Sequence, residues 1–141
     1  MKLTSHLPED RRAHVEGRLR ANQMAWLTTV RPDGRPDSVP VWFLLRDDET
    51  VLVYSQSAKT KLRNIGLNPQ VALVLDVTDI GRDVIRLDGN AEHVPGFPGA
   101  DQVPEYLAKY AERIGTLFGT GAHFAELYPE ALIITPTRLH A

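Results

Sequence analysis

The close spacing of short apolar, β-branched runs constrains this chain more than any other feature. MAWLTTV (24–30), SVPVWFLLR (38–46) and VLVYS (51–55) read as three strands. RPDGRP (31–36) and DDET (47–50) separate them, with Asp33–Gly34 as the reversing pair of the first turn. Strands joined by turns this short pair as antiparallel neighbours. QVALVLD (70–76) is a nearly continuous apolar strand, TDIGRD (78–83) a loop, and VIRLDGNAEHV (84–94) a long strand bent at Gly89. ALIITPTRLH closes the chain as a strand over 131–139, interrupted by Pro136.

Helices fill the remainder. Pro8 and the acidic pair Glu9–Asp10 start one that runs to about Asn22, with Val15 and Leu19 on a buried face. Gly17 weakens it by about 1 kcal/mol relative to alanine. Ser57 is expected to cap a short helix over 58–67, stopped by Asn68–Pro69. A helical segment spans 103–128, with Tyr106, Tyr110 and Ile114 at i, i+4 spacing. The expected fold is mainly β with peripheral helices. It is an antiparallel barrel of about six strands, formed by 1–141 as one domain. The first 22 residues form a helical lead and 24–94 the barrel core.

At 141 residues, about 68–70% of the unfolded surface can be buried, so a core forms without staples. Cysteine is absent, which excludes disulfides, thiolate zinc sites and cysteine nucleophiles. The net charge of −2 offers no basic field for nucleic acid or an acidic membrane. MKLTSHLPEDRR carries no apolar signal region and no run approaches a membrane span, so a cytoplasmic protein is expected.

The densest chemical signal is YSQSAKTKLRNI (54–65), where Lys59, Lys61 and Arg63 fall within five residues. Cations near a helix N-terminus oppose its partial positive charge, which is unfavourable unless an anion is present. The same geometry makes an anion site. Lysines on a helix are more often a solvated face; Ser57, Thr60 and Asn64 add hydrogen-bonding groups that favour function. The glycines of a nucleotide P-loop are missing. Pro40 inside SVPVWF implies an edge, a bulge or a ligand-facing stretch, and Trp42 is by type more often core than cofactor platform. GTLFGTG (115–121) reads as a helix end and turn. The histidines at 6, 14, 93, 123 and 140 have no metal-site spacing, and no metal is expected. Ser38, Ser55 and Ser57 lack a nucleophile-elbow context. Asp76, Asp79, Asp83 and Asp88 read as solvated acids. No catalytic residue stands out; Tyr106 and Tyr110 are acid–base candidates that packing explains adequately.

WLTTVRPDGRPDSVPVWFLL (26–45), VLVYSQSAKTKLRNIGLNPQVALVLD (51–76), DVIRLDGNAE (83–92) and ALIITPTRL (131–139) together resemble the pyridoxamine 5'-phosphate oxidase-like split β-barrel superfamily. More narrowly they resemble its F420 (deazaflavin)-dependent oxidoreductases. The resemblance implies a homodimer with cofactors in grooves at the subunit interface. It implies a ring lying against Val39, Pro40, Val41 and Trp42, and a phosphate held by the segment from Tyr54 to Asn64. Lys59 would be the chief phosphate ligand, Lys61 and Arg63 would add charge, Ser55, Ser57 and Thr60 hydroxyls, and Asn64 an amide. The activity implied is hydride transfer between reduced cofactor and a small organic substrate. Ser38 to Leu45 carries none of the cations that pyridoxine-phosphate oxidases have around this strand. That favours the deazaflavin over flavin mononucleotide (FMN), the alternative cofactor. A non-catalytic carrier of flavin, deazaflavin or haem would use the same cradle.

Overall fold

The structure is a computed structural model, and it describes residues 1–77 and 79–141. Six strands among the described residues close a barrel: β1 (Met24–Val30), β2 (Pro36–Leu45), β3 (Val51–Ser55), β4 (Gln70–Leu75), β5 (Arg86–His93) and β6 (Glu130–His140). Their order around the barrel is β1-β2-β3-β6-β5-β4, and every neighbouring pair is antiparallel. This is the fold class expected from the sequence. The loop expected at 78–83 begins on Thr78, which lies outside the described residues.

Two hairpins of one design build the β1–β2–β3 meander. In the first, Arg31 N–H bonds Arg35 O at 2.8 Å and Gly34 N–H bonds Arg31 O at 2.8 Å. In the second, Arg46 N–H bonds Thr50 O at 2.8 Å and Glu49 N–H bonds Arg46 O at 2.9 Å. Both turns need a left-handed third residue. Gly34 supplies it at φ 87 without a Cβ penalty. Glu49 adopts φ 66, and its carboxylate accepts Leu3 N–H at 3.0 Å, tying the N-terminal 3-10 turn (Lys2–Thr4) to the hairpin.

Alternation along the strands sorts side chains into two cores. Leu27, Phe43, Val53, Leu73, Leu87, Leu132 and Ile134 point inward and are fully buried. On the outer face Leu52, Tyr54 and Ala131 meet helix α3 (Pro104–Phe118) and helix α4 (Gly121–Leu127). Tyr106, Tyr110 and Ile114 line the buried stripe of α3, which ends at Gly119, φ 82. Helix α1 (Glu9–Ala21) buries Val15 and Leu19. Asp83 pins it, with Arg11 Nη2 at 2.8 Å, His14 Nε2 at 2.6 Å and Arg18 Nη1 at 3.0 Å.

Helix α2 (Thr60–Leu67) buries Ile65 in the inner core. It starts two residues later than expected, because Ala58 has φ 59, outside the helical region. Ser57 is therefore not its cap. Lys59 occupies the N-cap without a side-chain bond, and the Ser57 hydroxyl donates to Glu130 instead. The expected bend at Gly89 is a register shift between β5 and β6. A Cβ at Gly89 would lie 2.6 Å from Thr135 O and 3.1 Å from Pro136 Cα, so only glycine fits.

Candidate functional site

The barrel is incompletely zipped at one seam. β2 pairs with β1 along Pro36–Trp42, but it meets β3 only along Phe43–Leu45. From Pro36 to Trp42 its other edge has no ladder partner among the described residues. Pro40 stands in this open-edged half, the setting in which a strand proline is tolerated. β3 leads away into the loop before α2, so the seam opens toward the basic segment.

A cleft of about 220 Å³ lies at this opening. Pro40, Trp42 and Tyr54 line it from the strands, Lys61 from α2, and Phe118 and Tyr128 from the α3–α4 region. Trp42 is half-buried. Its ring stacks on Tyr110 at 5.1 Å and on Phe124 at 5.7 Å, so packing holds it as one wall. A larger, more open cleft of about 600 Å³ lies between the N-terminal turn and β6. Its lining mixes Lys2 and Arg138 with Asp48 and Glu49 and holds no Trp, Tyr or Phe. The smaller cleft is better suited to a flat ring bearing an anion, because apolar walls and an uncompensated cation meet there.

The expected cradle residues separate into two groups. Thr60 and Arg63 are exposed and Lys61 half-buried on α2, and Lys59 at its N-cap and Ser57 just before it are exposed. Neither lysine nor Arg63 forms an ion pair among the described residues. Burial first, then the Lys59 charge, pull the Lys61 ammonium below the ordinary lysine range, against the opposing pull of Asp37. The second group turns inward. Ser55 is 1% exposed and its hydroxyl donates to Gln56 O at 2.9 Å. Asn64 is fully buried and its Nδ2 donates to Thr29 Oγ1 at 2.9 Å. Val41 is buried, and Val39 packs against the inner core. Val41 nonetheless lines the cleft between Pro40 and Trp42, and Val39 is only half-buried.

The acid–base candidates are engaged elsewhere. Tyr106 OH donates to Trp42 O at 3.1 Å, and Tyr110 OH lies 2.6 Å from both Phe43 O and Gln23 O. Burial pushes both phenols well above the ordinary tyrosine range. Tyr54 OH donates to Pro98 O at 2.6 Å, and burial, then the Asp101 charge, raise it to about 12 against Arg46. These hydroxyls hold the walls in place. Tyr128, which the sequence reading passed over, lines the cleft with a hydroxyl that has no hydrogen-bond partner among the described residues. Its signal was the aromatic spacing of Phe118, Phe124 and Tyr128, visible only once α3 and α4 fold together. Among the described residues no group of three or more His, Asp or Glu could hold a metal, and no helix is long and apolar enough to cross a membrane.

The chain matches the family described as pyridoxamine 5'-phosphate oxidase over residues 12–137. No curated protein sequence matches it. Among solved structures it is similar to an F420 reductase, at 28% identity and a TM-score of 0.67, over 89% of this chain and 94% of that one. It is similar to a haem storage protein from Vibrio cholerae at 19% identity and a TM-score of 0.64, over 92% of each chain. A FAD-binding protein from Mesorhizobium loti matches at 19% identity and a TM-score of 0.65, over 90% of this chain and 88% of that one. The last two likenesses establish the shared fold alone.

Proposed function

We propose, from the premise that this chain belongs to the pyridoxamine 5'-phosphate oxidase family, that it is an F420-dependent oxidoreductase transferring a hydride to or from a small organic substrate. Membership of that family supports a flavin-type cofactor as the starting point of the reading. The observation that carries the reading is the placement of Lys61, which forms no ion pair among the described residues, in the wall of an aromatic-lined cleft on the open edge of β2. An anion resolves the electrostatic conflict at the start of α2. Charge-assisted bonds from Lys61, with Lys59, Arg63 and the Thr60 hydroxyl nearby, would hold a cofactor phosphate. The open edge from Pro36 to Trp42 offers backbone groups to the ring. When bound, the deazaflavin supplies the hydride-carrying carbon. The protein's part is to orient that ring, and Trp42, Phe118 and Tyr128 exclude water from one side.

Two things favour F420 over FMN. Ser38 to Leu45 holds no cation, and the similar F420 reductase covers most of both chains. We also propose a homodimer. Trp26 is 41% exposed and sits in a cross-strand row with Pro40 on β2 and Val74 on β4. A second copy covering this face would lie beside the cleft. Calorimetric titration with both cofactors tests the cofactor choice: F420 should bind more tightly, and equal or tighter binding of FMN would reverse it. Oxidation of reduced F420 in the presence of candidate acceptors then separates an enzyme from a carrier.

A further inference from the structure

The loop that delivers the basic end of α2 is latched to the barrel rim. Within Gln56–Lys59, Ala58 is held at φ 59, a conformation strained for a residue with a Cβ. Its neighbour Ser57 donates from Oγ to Glu130 Oε1 at 3.2 Å. The other oxygen, Glu130 Oε2, lies 2.6 Å from His93 Nε2. Glu130 opens β6 opposite Ser55, and His93 ends β5, so both sit at the end of the barrel that α2 closes. Among the described residues this is the only side-chain bond from the loop to a distant part of the chain. Beside three cations a carboxylate is attractive by itself, but it would weaken the binding of any anion they hold, so its place there needs another reason.

We infer that Glu130, steadied by His93, is a positioning residue for the cofactor cradle, holding the strained loop through Ser57 so that Lys59, Thr60 and Lys61 keep their places. The inference rests on the reading given under Proposed function. It makes a prediction opposite in sign to bare charge. Removing a negative group near an anion should tighten binding, whereas losing the latch should loosen it.

The experiment measures F420 and FMN affinity for wild type, Glu130→Ala, Glu130→Gln, Ser57→Ala and the Ser57→Ala/Glu130→Ala double variant, with a melting curve for each. Glu130→Ala should bind about 3- to 10-fold more weakly, the loss of roughly one hydrogen bond. Glu130→Gln keeps an acceptor for Ser57 and should bind like wild type or better. The double variant should be no worse than Ser57→Ala. Unchanged or tighter binding by Glu130→Ala overturns the inference, and so do additive losses in the double variant. If wild type binds neither cofactor, the functional reading fails by itself. Hydrogen exchange at amides 56–61 then decides the latch: faster exchange there alone in Glu130→Ala supports it, and unchanged exchange overturns it.

Discussion

At the scale of single residues, the structure places Lys61, not Lys59, on the cleft wall. The family resemblance implies Lys59 as the chief phosphate ligand, and a helix numbered from 58 puts positions 59 and 63 on one face, away from 61. With α2 beginning at Thr60, Lys59 becomes an exposed N-cap and Lys61 is the cation on the cleft. Lys61→Ala should therefore cost more cofactor affinity than Lys59→Ala. A charge-assisted contact is worth about 1.5–3 kcal/mol, which is about 10- to 100-fold in affinity. Fluorescence titration of the two variants checks the order, and a larger loss from Lys59→Ala would restore the reading made from sequence. The unliganded Lys61→Ala protein should melt no lower than wild type, since a half-buried unpaired ammonium near a helix N-terminus adds no stability. The basic cluster itself was legible from residue type and spacing. Which lysine faces the cleft was not, because that depends on where the left-handed turn at Ala58 ends the loop.

At the scale of elements, two junctions carry testable energetics. The β5–β6 shift brings Gly89 against the Thr135 and Pro136 backbone, which cannot move aside as a side chain would. Gly89→Ala should destabilise the fold by about 1–3 kcal/mol, the usual range for overpacking, read as a lower urea midpoint. An unchanged midpoint would show that the strands part without cost. The second junction is α1 on Asp83. The His14 hydrogen bond, then those from Arg11 and Arg18, pull the Asp83 carboxyl down to about 2, against the opposing effect of burial. Its unfolded value is about 3.9. The folded form thus holds its charge where the unfolded chain takes up a proton. The stabilisation is complete above about pH 4 and is lost as pH falls toward 2. Melting curves from pH 7 to pH 2 should show Asp83→Asn less stable than wild type at neutrality, with the gap closing through that window. A gap that stays constant with pH would mean that the carboxylate's charge does not supply the stabilisation.

At the scale of the whole molecule, Trp26 and Pro40 are exposed and Val74 is half-buried on the outside of the barrel. These three form an apolar row, and a two-fold contact would bury each row in its counterpart. Light scattering at micromolar concentration should give a dimer for wild type and a monomer for Trp26→Glu, with the strand signal in circular dichroism retained. A monomeric wild type would sink the dimer and leave Trp26 as a solvent-exposed aromatic. Because the row adjoins the cleft, Trp26→Glu should also weaken cofactor binding.

What the sequence determined by itself was the inventory of elements and the barrel they form. Period-two alternation, turn residues such as Asp33–Gly34, and the i, i+4 stripe of Tyr106, Tyr110 and Ile114 act within a few residues, so they can be read locally. Tertiary structure alone decided the seam between β2 and β3, the inward turn of Ser55 and Asn64, the tying of Tyr106 and Tyr110 to backbone carbonyls, and the transfer of Ser57 from helix cap to Glu130. Each depends on a partner far along the chain. Glu130 lies 73 positions from Ser57, and no local propensity encodes whether a hydroxyl will accept from its own helix or donate to a carboxylate that closure of the barrel brings near.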